Sequence, residues 1–417
     1  MAVTASETHR AIDAVWRVES ARVIAGLARI VRDVGLAEEL AQDALLAAVE
    51  QWPVEGAPRN PGAWLMATGK RRAVDLIRRE RNLRKKTELL AHELDPLGAA
   101  PEVDETPEID DDLLRLVFVS CHPVLPTEAR VALTLRLLGG LSTDEIARAF
   151  LASESTIAQR IVRAKKALTK ADVPFEVPAR EEWPARLSSV LEVVYLVFNE
   201  GYSATAGDDW LRPSLCAEAL RLGRVLAGLM PAEPEVHGLV GLMEIQASRA
   251  GARVGPDGKP VLLLDQDRGQ WDQVLIRRGL AALDRVSELG GVDGPYALQA
   301  AIAACHGRAR TAEETDWERI AALYGRLGKV MPSPVVELNR AVAVSMVHGP
   351  EAGLALVDAL LAEPSLRGYH LLPSVRGDFL AKLGRVEEAR VEFERAASLT
   401  RNSRERTLLL ERAAACG

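Results

Sequence analysis

A helix predicted over residues 154–170 presents polar and basic side chains on one face. At about 100° per residue, positions separated by three or four residues share a helical face. Ser, Thr, Gln and Arg can pair with base edges in the major groove of DNA, and Arg and Lys can also contact phosphates. The spacing predicts DNA recognition by these side chains. They are Ser155, Thr156, Gln159, Arg160, Arg163 and Lys166.

The opposite face of this helix is apolar, as a helix packed on a small core requires. Its apolar positions recur at steps of three and four residues. They are Ile157, Ile161, Ala164 and Leu168. Upstream, Ser142 and Glu145 have the spacing of a capping box, which predicts the start of a short helix. A turn at 151–153 separates this short helix from the helix at 154–170. This arrangement is a helix-turn-helix pattern.

A second basic element lies nearer the N-terminus. Ten basic and two acidic residues occur between Arg59 and Lys86, most of them on a helix predicted from Ala63 to about Arg84. Clustered Lys and Arg provide the electrostatic attraction that phosphate backbones require. Two basic elements in one chain favour nucleic acid as a partner over two independently solvated surfaces.

The two basic elements are separated by a segment of opposite charge. Residues 93–112 contain nine acidic residues, three prolines and no Lys or Arg. Such a composition buries too little apolar surface to offset the entropy of ordering. We therefore predict a flexible acidic linker over 87–110.

Composition indicates an all-α protein. Aromatic residues make up only 4% of the 417 residues, and Ala, Leu, Val, Arg and Glu dominate. The four cysteines form no CxxC pair, which argues against a disulfide framework or structural zinc site and fits a reducing cytoplasm. No apolar run approaches the roughly 20 residues needed to cross a bilayer. We expect no metal, no cofactor and no membrane insertion.

Motifs of catalysis are absent from the sequence. There is no P-loop, GxSxG or HExxH, and the adjacent pairs Cys121–His122 and Cys305–His306 would point about 100° apart on a helix. We predict that the chain is not an enzyme. The polar clusters 199–202 and 265–268 could form a ligand site, but helix caps and turn hydrogen bonds explain such clusters more often.

Helix follows helix beyond about Pro174. Around residues 377–396 the small and aromatic positions match a tetratricopeptide (TPR) unit of roughly 34 residues, and residues 298–327 form a weaker unit. We predict a helical extension over 180–290 and TPR-like helical repeats over 291–417. Stacked repeats of this kind present a surface for a protein or intramolecular partner.

Several segments together resemble a known family. Residues 37–46 (AEELAQDALL), 63–65 (AWL) and 73–79 (AVDLIRR) resemble region 2 of extracytoplasmic-function (ECF) RNA polymerase sigma factors, and residues 142–168 resemble their region 4. The C-terminal extension is similar to that of the ECF branch with a TPR-like domain. The segments that carry this second similarity are 195–202, 298–306 and 333–344.

The resemblance implies roles for particular segments. Residues 8–86 would form region 2, whose helix at 37–52 docks on core RNA polymerase, and residues 111–170 would form region 4, which reads the minus-thirty-five promoter element. The implied core-binding positions are Glu39, Gln42, Asp43 and Leu46. The implied minus-ten positions are Arg59, Asn60, Lys70, Arg71, Arg72, Arg78 and Arg79.

The leading interpretation is a sigma factor that binds core polymerase and promoter DNA in the cytoplasm, with its C-terminal domain regulating activity or contacting partners. The alternative is a helix-turn-helix regulator with a TPR sensor that binds DNA without core polymerase. A helical scaffold with solvated basic helices would leave the helix-turn-helix and the 37–79 block unexplained.

Overall fold

A computed structural model describes residues 5–91, 109–150, 152–179, 181–203, 206–207, 211–256 and 259–416. These residues are almost entirely helical, which confirms the predicted all-α fold. Two-residue strands, β1 (Ala206–Gly207) and β2 (Arg401–Asn402), pair in parallel. The chain divides into two compact units, residues 1–193 and 194–417. Among the described helices, none combines the length and apolar character of a membrane span.

The first unit contains the two basic elements. Its helices are α1 (Ala5–Val31), α2 (Val34–Glu55), α3 (Pro61–Ala91), α4 (Ile109–Ser120), α5 (Thr127–Leu137), α6 (Thr143–Ala149) and α7 (Glu154–Lys170). Helices α1, α2 and α3 pack against one another, and α4 packs on α1. A buried apolar core that includes Val23, Ile24 and Leu27 holds this group together.

The second unit is a succession of helices joined by loops, two of which contain short 3₁₀ turns. They are α8 (Trp183–Tyr202, which begins before the unit boundary), α9 (Pro213–Leu229), α10 (Pro234–Ala247), α11 (Gln273–Glu288), α12 (Pro295–Arg308), α13 (Trp317–Val330), α14 (Pro334–His348), α15 (Pro350–Ala359), α16 (Leu371–Lys382), α17 (Val386–Leu399) and α18 (Ser403–Ala414). Consecutive helices from α12 onward pack as neighbours, as in a helical-hairpin array.

Helix α2 begins earlier than residue 37, where the sequence places its start. The chain turns at Arg32, whose φ is 56°, and the Asp33 carboxylate accepts a hydrogen bond from the Leu36 amide at 2.8 Å. This side-chain cap satisfies a first-turn amide, so Gly35 lies inside the helix rather than interrupting it. At the other end, Pro53 is accommodated within the helix, which stops at Gly56 with φ 85°.

The acidic segment is shorter at both ends than the linker predicted over 87–110. Helix α3 continues to Ala91, and α4 already begins at Ile109. Asp112, which belongs to the acidic run, is buried and pairs with Arg115 at 2.8 Å and with Arg29 at 3.2 Å. The two guanidinium groups compensate the cost of burying this carboxylate. The rest of the predicted linker, residues 92–108, lies outside the described residues.

The helix-turn-helix forms as its sequence pattern predicts. The Ser142 amide donates to Glu145 Oε2 at 2.8 Å, and the Glu145 amide donates to Ser142 Oγ at 3.1 Å, which confirms the capping box. Ser153 caps α7 by accepting from the Thr156 amide at 3.1 Å. The four predicted apolar positions of α7 are all buried.

A buried carboxylate on α2, that of Glu38, connects this helix to the helix-turn-helix and to α5. Only 3% of the Glu38 side chain is exposed, and its Oε1 accepts from Arg136 Nε at 2.6 Å while Oε2 pairs with Lys165 of α7. Burial alone would raise the pKa of Glu38, but the two cations outweigh it and hold the pKa below its ordinary value of 4.5. The ionised form is therefore the one that fits this site.

In the second unit, close packing depends on small residues. A Cβ at Gly377 would lie 2.9 Å from Phe393 Cε1, so glycine allows the ring to pack against α16. Phe393, Ala389 and Ala396 are buried, in agreement with the predicted TPR-like unit. Earlier in the unit, the Glu235 carboxylate accepts from the backbone amides of Tyr296 and Ala297 at 2.9 and 3.0 Å, which fixes the start of α12.

We predict that Glu38→Gln destabilises the first unit by about 2 kcal/mol at pH 7. Removing one member of a fully buried ion pair costs roughly 3–5 kcal/mol, and the partial exposure of Arg136 and Lys165 reduces that cost. Because the pKa of Glu38 is lowered in the folded protein, its contribution is complete above 4.5 and decreases as the pH falls further. Urea unfolding at pH 7 and at lower pH measures both effects.

Glu39→Gln is the matched control, because Glu39 is the exposed neighbour of Glu38 on the same helix. We expect its stability to stay within about 0.5 kcal/mol of the wild type. Equal effects of the two substitutions at pH 7 would contradict the role assigned to Glu38.

Candidate nucleic-acid interface

Helix α7 presents the predicted base-reading side chains to solvent. Ser155, Thr156, Gln159, Arg163 and Lys166 are all exposed. The side chain of Lys165, next to this group, points instead to Glu38 and is mostly covered. The two sides of α7 thus have different tasks, one holding the helix in the unit and the other left open.

Arg160 differs from the rest of this group. It is half-buried and pairs with Glu128 of α5 at 2.6 Å. This ion pair orients the guanidinium at the edge of the exposed face. Ser153, which the sequence prediction does not include, contacts Thr156 Oγ1 at 2.7 Å and Ser155 Oγ at 2.9 Å. It positions two of the candidate side chains as well as capping the helix.

The basic face of α3 is exposed over the residues whose side chains the structure describes. Lys70, Arg71, Arg78 and Arg79 all face solvent. Arg71 is held by its own helix, where its Nη2 donates to Thr68 Oγ1 at 3.3 Å. A phosphate backbone could approach this face without displacing apolar contacts. The side chains of the four basic residues between 81 and 86 lie outside the described ones.

The remaining minus-ten candidates occupy the loop before α3 and its junction with α2. Arg59 is exposed in that loop. Asn60 caps α3, because its Oδ1 accepts from the Ala63 amide at 3.1 Å. Arg72 is half-buried and pairs with Asp43 of α2 at 2.9 Å. Asn60 and Arg72 therefore also have structural roles, which the sequence does not reveal.

Three of the four core-binding candidates form a stripe on the outside of α2. Glu39, Asp43 and Leu46 follow one another at steps of four and three residues, and all are exposed. We call them the α2 stripe. Leu46 is 60% exposed and ends the stripe one turn after Asp43, so the stripe offers two carboxylates and one apolar side chain to a partner. Gln42 lies beside the stripe and donates to Glu38 Oε1 at 2.5 Å.

The cysteine and histidine pairs have the geometry of structural residues. Burial raises the pKa of the Cys121 thiol to about 11, and its Sγ contacts Thr134 Oγ1 at 3.3 Å. His122 Nδ1 accepts from the Val124 amide at 3.1 Å. Burial likewise raises the pKa of Cys305. A thiol with a raised pKa is a poor nucleophile near neutral pH.

The polar cluster at 265–268 is also structural. Asp267 Oδ1 accepts from the Gly269 amide at 2.9 Å and caps a short 3₁₀ turn. Arg268 is buried and donates to the carbonyl oxygens of His306 and Ala309 at 3.0 and 3.1 Å. These hydrogen bonds account for the cluster as a tie between a loop and α12.

Family models match three parts of the chain. Residues 17–83 match sigma-70 region 2, and residues 115–168 match sigma-70 region 4. The first match contains α2 and the described basic face of α3, and the second contains the helix-turn-helix. Residues 186–287 match a family of unknown function, DUF6596.

Relatives are found for the whole chain and for its N-terminal part. An uncharacterised protein of Rhizobium meliloti, R00370, is 46% identical over 92% of this chain and 90% of its own length. The ECF RNA polymerase sigma factor SigK of Mycobacterium bovis is 30% identical over 35% of this chain and 78% of its own length. The probable ECF sigma factor SigI of Mycobacterium tuberculosis is 26% identical over 40% of this chain and 58% of its own.

Among solved structures, yeast Tom70 aligns with 99% of this chain and 84% of its own, at 12% sequence identity and a TM-score of 0.31. The region 2 match covers the described basic face of α3, and the region 4 match covers the helix-turn-helix. These two matches, together with the SigK relative, of which this chain covers 78% at 30% identity, establish the family. The chain belongs to the ECF RNA polymerase sigma factors.

Proposed function

We propose that this sigma factor binds core RNA polymerase through α2 and promoter DNA through α3 and α7, and so directs transcription initiation at particular promoters. The observation that carries the proposal is the coincidence of each matched sigma region with an exposed polar or basic helix face. The protein acts in the cytoplasm, where its polymerase and promoter partners are. It supplies binding specificity and performs no catalysis.

The minus-thirty-five element would be read by the exposed face of α7. Gln159 and Arg163 are one helical turn apart and free of apolar packing, so both can reach base edges in a major groove. Lys166 lies further along the helix and would contact phosphate. Arg160, tied to Glu128, would approach the groove from the margin of the face.

The minus-ten element would be held by the basic face of α3 and the loop before it. Lys70, Arg71, Arg78 and Arg79 supply phosphate contacts, and Arg59 and Asn60 extend the surface toward the loop. Arg72 would add positive charge beside this surface, where its ion pair with Asp43 holds it. Such contacts favour DNA in general, so selectivity at this element would come from the few polar groups nearest the bases.

Core polymerase would dock on the α2 stripe, with Gln42 beside it. A partly apolar surface bounded by carboxylates fits a basic protein partner better than it fits DNA. This surface distinguishes the proposal from the alternative, a helix-turn-helix regulator that acts without core polymerase. A plain regulator would have no use for an exposed stripe of two carboxylates and a leucine on a helix outside the DNA-binding face.

The C-terminal unit would regulate the sigma regions or contact a partner. Stacked helices give an extended surface, which is the usual binding surface of helical-repeat proteins. The transcript yields of the full chain and of a protein truncated after Val193, the boundary of the first unit, show whether the C-terminal unit promotes or restrains initiation.

We predict that the full chain, added to core polymerase of the same organism, produces run-off transcripts from DNA upstream of its own and neighbouring genes. Truncation to residues 1–193 should change the transcript yield, because regulation by the C-terminal unit is then lost. Circular dichroism and melting of the truncated protein control for folding. Tight binding to duplex DNA without transcripts or co-elution with core would favour the regulator alternative, and an unchanged yield would contradict the regulatory role.

We predict that Gln159→Ala and Arg163→Ala each weaken promoter binding by the assembled holoenzyme about tenfold or more. A good base-edge contact contributes roughly 1–3 kcal/mol of discrimination. Fluorescence anisotropy on duplexes with and without the upstream element gives the affinities. Arg277→Ala is the control, since Arg277 is an exposed arginine of the second unit. Equal losses on both duplexes would mean phosphate contact and not base reading.

We predict that Asp43→Arg and Leu46→Ala each reduce binding to core polymerase. Asp43→Arg also breaks the partly exposed pair with Arg72, which costs about 1 kcal/mol or less, whereas Leu46→Ala leaves the ion pairs of the unit intact. The first reverses a charge of the α2 stripe and the second removes its apolar contact. Size-exclusion chromatography with core polymerase and competition against the wild type measure the change. Glu55→Arg serves as the control, because Glu55 is exposed on α2 but about 120° around the helix from Asp43. Normal assembly of both stripe variants would refute this site.

A further inference from the structure

The second unit contains a cavity that none of these roles uses. Its volume is about 420 Å³, and its walls come from α8, α10, α12, α13 and α14. This volume lies in the range of roughly 300–1,000 Å³ that is usual for small-molecule sites. Leu242, Ile302 and Val336 are buried residues of its apolar wall.

Segments far apart in the sequence meet at this cavity. Tyr195 and Asn199 come from α8, Gln299 and His306 from α12, and Asn339 from α14. They belong to the three segments through which the extension resembles the TPR-bearing ECF branch. Those segments therefore have a common location, although nothing in the sequence connects them.

Several polar atoms of the lining lack a hydrogen-bond partner among the described residues. They are Gln246 Oε1, Arg249 Nε and His306 Nδ1, and each is itself buried. His306 is only 9% exposed. Buried polar groups in native proteins are nearly always hydrogen-bonded, so these three side chains, which border the cavity, retain hydrogen-bonding capacity that the described residues do not use.

The charge of the lining selects the kind of ligand. Arg249 is the charged residue of the described lining, which contains no Asp or Glu. Its guanidinium lies 5.7 Å from the Trp271 ring centroid and 5.6 Å from that of Tyr202. Burial and the neighbouring arginines lower the pKa of His306 to about 3, so its ring is neutral at pH 7. In a neutral imidazole one ring nitrogen is a hydrogen-bond donor and the other is an acceptor.

We propose that this cavity binds a small organic anion, with its charged group at Arg249 and its apolar body against Leu242, Ile302 and Val336. The amides of Gln246 and Gln299 and the ring of His306 would supply hydrogen bonds to polar groups of the ligand. A volume of about 420 Å³ between five helices suits a small molecule better than a polypeptide segment. The proposal is independent of the sigma-factor roles given above, because every residue that it uses lies in the second unit.

The test uses two fluorescent probes with the same rings and different charge. The anionic probe is 8-anilino-1-naphthalenesulfonate, and the neutral one is N-phenyl-1-naphthylamine. With the full-length protein we expect one saturable site for the anionic probe and at least tenfold weaker binding of the neutral one. Isothermal titration calorimetry gives the stoichiometry, and fluorescence gives the affinities.

Two substitutions and one control locate the site. Arg249→Met removes the charge, and Ala303→Leu fills the cavity from α12. Each should weaken binding of the anionic probe about tenfold or more, the loss expected for a hydrogen bond to a charged group or for lost space. Arg277→Met should leave binding unchanged, because Arg277 is exposed and does not line the cavity. Melting temperatures confirm that each variant is folded.

These measurements decide the proposal in either direction. One-to-one binding that prefers the anion and is lost in both cavity variants supports it. No saturable binding, equal binding of the neutral probe, or unchanged affinity in a folded Arg249→Met or Ala303→Leu protein would overturn it.

Discussion

The arrangement of the first unit depends on one buried carboxylate. Glu38 is removed from water and retains its charge because Arg136 and Lys165 approach it from two helices of region 4. A buried charge that lost either partner would be costly, so the three side chains must meet. This requirement sets which side of α7 faces inward. With Lys165 and the apolar seam turned toward the unit, the side that carries Gln159 and Arg163 faces water.

The same principle appears at Asp112 and on α2. Asp112 is an acidic residue at the edge of a highly charged segment, yet it is buried between Arg29 and Arg115. On α2, the buried and exposed sides serve different ends: small residues such as Ala41 and Ala44 allow close packing, and the α2 stripe is left outside. Ion pairs thus connect the helices of the unit while its candidate binding faces remain accessible.

The second unit combines tight packing with a cavity at which packing is incomplete. Gly377 admits the Phe393 ring against α16, and a Cβ at Gly238 would lie 2.7 Å from the Ala297 backbone nitrogen. Helices that approach so closely leave no void at these positions. The cavity bounded by Arg249 and His306 is the contrast, because its lining includes polar atoms with no hydrogen-bond partner among the described residues.

The sequence by itself determined the all-α class, the helix-turn-helix with its capping box, the apolar seam of α7 and the family. These are local or periodic properties, set by residues within a few turns of each other. It also predicted the side chains on the exposed face of α7, since 3.6-residue periodicity separates the two faces. Only the tertiary structure decided that Glu38 joins the two sigma regions, that Asp112 is buried, and that Tyr195, His306 and Asn339 line one cavity. Such contacts connect residues separated by tens to more than a hundred positions, and no local pattern encodes which distant residues will meet.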